Sequence, residues 1–109
     1  MEKKYYKMPV SFFENEKYSG LTTNEMIMYA ILYEKYESSK RKKSCKDEDG
    51  TFIYYTVREL TNSLHISKQT VINGLKHLEE YNLIFREKTD GKADKIYVHE
   101  PETEEKEGL

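Results

Sequence analysis

Between Ser67 and His77 the chain gathers side chains that bind without reacting. There are hydroxyls on Ser67 and Thr70, amides on Gln69 and Asn73, amines on Lys68 and Lys76, and the His77 imidazole. None is acidic. On a helix turning 100° per residue, Val71, Leu75 and Leu78 share one face, with Ile72 at its edge. Gln69, Asn73, Lys76 and His77 fall opposite, with Thr70 at one edge. Gln and Asn match the hydrogen-bonding edge of adenine bidentately, and Lys donates to guanine. Ser67 and Lys68, at the start of such a helix, add a hydroxyl and a cation to backbone N–H groups that have no partner within it. That combination suits a phosphate. Glu80 also points outward, a turn or more beyond. A polar outer face is ordinarily just solvated, so this one gains meaning only from the elements that position it.

Those elements have recognisable starts and stops. Thr22-Thr-Asn-Glu25 is a capping box, with Thr22 at the N-cap and Glu25 three residues on. The run Met26-Ile-Met-Tyr-Ala-Ile-Leu-Tyr33 follows, apolar on every face, which predicts a helix buried on more than one side. Either the N-terminal segment or a second subunit must cover the extra face. Met26, Ile27, Tyr29, Ala30 and Tyr33, with the aromatic arm, are the expected homodimer contact. Thr51-Phe-Ile-Tyr-Tyr55 is β-branched and aromatic and predicts a short strand. Here Tyr54 and Tyr55 are expected to pack on a sheet. Thr56-Val-Arg-Glu59 is a second capping box, and Val57, Leu60 and Leu64 give a short amphipathic helix. His65-Ile66 makes a turn, Ser67 caps the third helix, and Asn82 sits where a helix commonly ends. Leu83–Glu87 and Lys95–His99 predict two strands joined through the Asp90-Gly91 turn signal.

Helix, short strand, helix, turn, helix, hairpin is the order of a winged helix-turn-helix, in the α+β class. We divide the chain into an N-terminal arm (1–21), a winged-helix domain (22–99) and an acidic linker start (100–109). In the arm, Lys3 and Lys4 precede Tyr5, Tyr6, Met8, Phe12 and Phe13. Pro9 forbids an early helix, and Ser11 to Asn15 suits one helical turn.

Taken as a total, the net charge of -2 opposes a polyanionic partner, but its distribution does not. Glu100 to Leu109 holds five Glu against one Lys, so the rest of the chain carries +2. Clustered charge matters more than the total. Arg86, Lys88, Lys92 and Lys95 surround the Asp-Gly turn and suit flanking phosphates or the minor groove, although Glu87, Asp90 and Asp94 dilute them. Arg58, at the start of the second helix, is placed for a backbone phosphate, and Lys3 and Lys4 for the same polyanion. The Lys40-Arg-Lys-Lys43 run is more simply a solvated loop.

Catalytic constellations are missing. The five glycines are not clustered into a phosphate-binding loop. The single Cys45 has no disulfide partner, and His65, His77 and His99 are too scattered for a metal set. We expect a non-enzymatic protein with no cofactor and no metal. No run approaches the ~18 apolar residues of a membrane span, and the N-terminus lacks an apolar signal core, so a cytoplasmic protein is expected.

Several segments together resemble one family. They are Tyr5-Tyr-Lys-Met-Pro9, Phe12-Phe-Glu-Asn15, Tyr18-Ser-Gly-Leu-Thr22, Tyr29-Ala-Ile-Leu32, Asp47-Glu-Asp-Gly50 leading into Phe52-Ile-Tyr-Tyr-Thr56, Leu83-Ile84 and Lys95-Ile-Tyr-Val98. Their order and spacing over residues 5–99 resemble the N-terminal domain of the RepA_N plasmid replication initiators of Gram-positive bacteria, including those of staphylococcal multiresistance plasmids. The resemblance implies a dimeric winged helix that binds repeated sites (iterons) in double-stranded DNA at a plasmid origin. It also implies a separate C-terminal domain, outside these residues, that engages host replication proteins. Carried over, Ser67, Lys68, Gln69, Thr70, Asn73 and Lys76 would face the major groove, and the hairpin cations would hold the flank. The residues alone leave two alternatives open: a winged-helix transcriptional repressor, and a winged helix used only for protein interaction.

Overall fold

A computed structural model describes residues 5–88, the side chain of Lys43 excepted, and residues 94–102. The elements run α1 (Ser11–Glu14), a 3-10 turn (Glu16–Tyr18), α2 (Thr23–Ser39), a second 3-10 turn (Lys43–Cys45), β1 (Lys46–Asp47), β2 (Gly50–Thr51), β3 (Ile53–Tyr54), α3 (Val57–Leu64), α4 (Lys68–Glu80), β4 (Ile84–Glu87) and β5 (Lys95–Val98). The winged helix-turn-helix is present, and β3 joins the hairpin as a third strand.

Local chemistry sets the helix ends. Both capping boxes form. Thr22 Oγ1 accepts the Glu25 N–H while Glu25 Oε1 accepts the Thr22 N–H, and Thr56 and Glu59 repeat the exchange. Ser67 Oγ accepts the Thr70 N–H at 3.1 Å. Each such cap is worth about 1 kcal/mol. Between α3 and α4, His65 takes φ 56° and its N–H returns to the Thr61 carbonyl, closing the turn of the helix-turn-helix. At the end of α4, Asn82 takes φ 59°. Its N–H bonds the Glu79 carbonyl, and the Leu83 N–H bonds that of Leu78. This is a Schellman ending that turns the chain directly into β4.

The sheet order is β3-β5-β4, antiparallel throughout, with Ile53 opposite Ile96 and Ile84 opposite Val98. Those four side chains face inward and are buried. They meet Leu60 of α3, Val71, Leu75 and Leu78 of α4, and Met28, Tyr29 and Leu32 of α2. Gly74 lets α4 lie close on α2, since a Cβ there would stand 2.7 Å from Met28 Sδ.

The second face of α2 is covered from within the chain. Phe12 meets the Tyr29 ring edge-on at 5.2 Å and the Tyr18 ring at 5.5 Å, and Phe12, Tyr18 and Leu21 join the core. Tyr29 is fully buried and Ala30 is 3% exposed. This corrects the expectation for these two residues: neither has surface to give a partner. Met26, Ile27 and Tyr33 stay half-buried. Tyr5, Tyr6, Val10 and Phe13 are exposed.

Two other features differ from the sequence expectation. The start of the acidic segment is held against the body. Tyr29 donates to the His99 carbonyl at 2.5 Å, Tyr33 to Glu100 at 2.8 Å, and the Glu102 N–H to the Tyr18 hydroxyl at 2.8 Å. Lys17 pairs with Glu102 at 2.8 Å. Burial pushes the Tyr29 phenol far above its ordinary pKa, and the Glu102 carboxylate raises that of Lys17. The second feature is the β1–β2 hairpin, which the polar composition of 46–51 did not announce. The expected strand 51–55 splits at Phe52 between that hairpin and the main sheet.

Candidate nucleic-acid interface

The capped start of α4 and its apolar stripe leave one side of the helix open. Lys68, Gln69, Thr70, Asn73 and Lys76 are all exposed there. Gln69 Nε2 donates to Asn73 Oδ1 at 2.9 Å, so two amides suited to base edges are oriented by each other. Neither Lys68 nor Lys76 has a carboxylate within ion-pair distance among the described residues, and the same is true of Arg58 on α3 and Lys88 after β4. Ser67 is exposed, but its hydroxyl is committed to capping: besides the Thr70 N–H it shares a 2.7 Å hydrogen bond with Thr70 Oγ1. Among the described residues, Thr70 is the one residue of the first turn whose N–H meets a side-chain acceptor.

Beside this face lies an open groove of about 450 Å³ lined by Thr56, Val57, Arg58, Thr61 and Lys68. It separates the first turns of α3 and α4. Two cations border it, and the Thr61 hydroxyl is buried without a hydrogen-bond partner among the described residues. A groove with unpaired cations on both walls can accept a phosphate group and little that is positively charged.

Three expected contact residues are turned elsewhere. His77 does not share the open face: its Nδ1 donates to Glu25 Oε1 at 2.6 Å, and its ring meets Tyr81 edge-on at 4.9 Å. The wheel put His77 opposite the core, but the N-terminal turn of α2 covers that angle. Arg86 has its strand's inward register and reaches Glu79 on α4, with Nη2 at 2.6 Å and Nε at 2.9 Å. Lys95 bonds Asp47 at 3.1 Å and lies over the Phe52 ring at 4.5 Å. The Tyr97 hydroxyl also donates to Asp47, at 2.5 Å. That bond, more than the neighbouring Asp49 N–H or Lys95, holds the Asp47 carboxyl below its usual range, and in turn it raises the Tyr97 phenol. Lys95 itself is raised by Asp47. Lys3, Lys4 and Lys92, and the Asp90-Gly91 turn, lie outside the described residues.

The residues that sequence reasoning missed are Glu25, Asp47 and Glu79. Each engages a basic residue expected to be available. Glu79 stands seven residues from its partner, the others about fifty. Only the capping role of Glu25 has a local signature. No helix among the described residues is long and apolar enough to cross a membrane.

Comparison with known proteins agrees with this fold. A 41 kDa protein of Lactobacillus helveticus is 28% identical over 105 residues, covering 90% of this chain and 30% of that protein. The chain therefore spans less than a third of the length of this curated relative. A solved structure described as the N-terminal domain of a DNA binding protein superposes with a TM-score of 0.80 at 30% identity, over 94% of this chain and 79% of that one. A Rep–DNA complex gives a TM-score of 0.80 at 30% identity, over 94% and 80%. An MDR initiator gives 0.77 at 26%, over 94% and 81%. The family model of the N-terminus of replication initiator protein A (RepA) matches residues 4–109, and the chain belongs to that family, RepA_N.

Proposed function

We propose that this domain binds double-stranded DNA by laying the open side of α4 in the major groove. Gln69 and Asn73 read base edges, and Lys76 adds a donor. Lys68 and Arg58, on either side of the groove between α3 and α4, hold backbone phosphates and set the register. Thr70 lines the entry to the base edges, and Ser67 shapes the first turn. Lys88, with Lys92 of the hairpin loop and Lys3 and Lys4 of the arm, meets the flanking backbone. The observation that carries this reading is the open α4 face itself: five exposed side chains in three turns, none of them acidic and none in an ion pair among the described residues. The likeness to a Rep–DNA complex supports it.

On this reading the target is a set of repeats at a plasmid origin, and the role is to start replication. The function is binding, not catalysis, and is carried out in the cytoplasm. A downstream domain would recruit host replication proteins. Two copies would pair through Met26, Ile27 and Tyr33 with the exposed arm aromatics Tyr5, Tyr6 and Phe13, placing two α4 helices along one duplex. Sedimentation as a monomer at every concentration would remove the dimer from this account. Binding is tested by fluorescence anisotropy with a duplex carrying one repeat of the replicon's own origin and with a scrambled duplex, each at several salt concentrations. Strong preference for the repeat supports an origin reader. Equal affinity for both, or no duplex binding, favours a domain that recognises other proteins.

A further inference from the structure

Apolar packing holds α4 against the core, but a stripe of leucines allows a helix small rotations about its own axis. A short polar bond to a buried partner does not. Among the described residues α4 has two: Glu79 is held by Arg86 of β4, and His77 meets the more deeply buried Glu25 of α2. His77 Nδ1 lies 2.6 Å from Glu25 Oε1, with side-chain exposures of 32% and 11%. The same carboxylate oxygen accepts the Thr22 N–H at 2.9 Å. Gly74 brings the two helices together at this point, a Cβ there standing 3.5 Å from Glu25 Cγ. Tyr81 closes the other side of the imidazole, and its hydroxyl sits over Gly20. One carboxylate thus completes the N-terminal cap of α2 and pins α4 beside Lys76, one turn from Asn73.

We propose that Glu25, acting through His77, is a positioning residue for DNA discrimination. It fixes the rotation of α4 so that the coupled amides of Gln69 and Asn73 meet base edges at one angle. The proposal rests on the DNA-binding reading of α4. Base-edge hydrogen bonds fail when donor and acceptor shift by a few tenths of an ångström or tilt out of line. Attraction to phosphates is long-ranged and survives such shifts. Loss of the clamp therefore lowers the preference for the cognate duplex and leaves affinity for scrambled DNA and its salt dependence in place.

The test uses the full 109-residue chain with His77→Leu, Glu25→Ala, the two combined, and Thr22→Val. The last removes the Thr22 hydroxyl from the cap and keeps the Glu25–His77 bond. We expect His77→Leu and Glu25→Ala each to cut the ratio of origin-repeat to scrambled affinity roughly tenfold, the scale of one charge-assisted hydrogen bond. The combined variant should lose no more than the worse single one. Thr22→Val should lower the melting temperature without moving the ratio. An unchanged ratio in folded His77→Leu overturns the proposal. So do losses that add in the combined variant, which would make His77 itself a DNA contact. If Glu25→Ala fails to fold, Glu25→Gln replaces it, with a smaller loss expected and an unchanged ratio counting against the clamp. If the wild-type chain shows no preference for the repeat, the DNA reading fails first. Hydrogen exchange of the Gln69–Lys76 amides then decides positioning by itself. Faster exchange in His77→Leu than in Thr22→Val sustains the clamp, and equal protection overturns it.

Discussion

Two cation-bearing surfaces of this molecule are treated oppositely by the fold. On α3 and α4, Arg58, Lys68 and Lys76 stand exposed, with no carboxylate in ion-pair range among the described residues. On the sheet, Arg86 is gripped by Glu79 and Lys95 by Asp47. The difference teaches that counting basic residues does not locate a polyanion site. A cation already neutralised at 2.6 Å must break that bond before it can serve a phosphate. A solvated lysine only releases water and counterions. The cations of the helical surface stay out of ion pairs among the described residues, and the strand cations of the sheet surface hold the wing to the body.

The largest effect strikes what the two surfaces share. Leu78 is fully buried in α4 and packs in the cluster that also holds Leu83 and Ile84. Leu78→Ala should cost about 2–5 kcal/mol, measured by denaturant unfolding, and should weaken binding to every duplex alike. If stability fell and affinity for every duplex stayed intact, the α4 surface would not depend on the core beneath it.

Asn73→Ala sharpens the contrast. It should cost about 1–3 kcal/mol in binding at one base position if the contact is bidentate, with unfolding nearly unchanged because the side chain is exposed. Affinity across single-base variants of the repeat would show a flattened preference at that position alone. A uniform loss at all positions would assign Asn73 to the backbone instead.

The smallest effect concerns the sheet. The Tyr97 hydroxyl, with the Asp49 N–H and Lys95, keeps the Asp47 carboxyl below its usual range. A carboxylate depressed in the folded state stabilises above the unfolded pKa of about 3.9 and loses that contribution as pH falls through its folded pKa. Asp47→Asn should therefore lower the melting temperature slightly near neutral pH. The gap to wild type should close on acidification below the usual carboxylate range. A gap that widened in acid would mean the Asp47–Tyr97–Lys95 cluster does not staple the β1–β2 hairpin to the sheet.

The parts of the fold legible in the sequence were those fixed within a few residues. The boxes at Thr22 and Thr56, the cap at Ser67 and the Asn82 ending all depend on groups three to five positions apart, and each formed. The apolar stripe of α4 likewise follows from helical period. What was not legible depends on distant partners. Nothing near His77 announces Glu25, nothing near Lys95 announces Asp47, and nothing in Met26–Tyr33 says that Phe12 and Tyr18 will cover its second face. The β1–β2 hairpin escaped because its residues are polar or glycine and none is buried, so no alternation marks them. For the same reason the exposed face of α4 was legible from its helical period, while the carboxylate partners of His77, Arg86 and Lys95 were not.

On the proposed reading the α4 cations meet DNA and the paired sheet cations do not. Its most direct test is the salt dependence of duplex affinity for wild type, Lys68→Ala/Lys76→Ala and Arg86→Ala/Lys95→Ala. Each lost phosphate contact should flatten the plot of log affinity against log salt by about 0.9. The α4 variant is predicted to lose slope by one to two such steps, while the sheet variant keeps the wild-type slope and loses only stability. A sheet variant that loses the slope, beside an α4 variant that keeps it, would contradict the account.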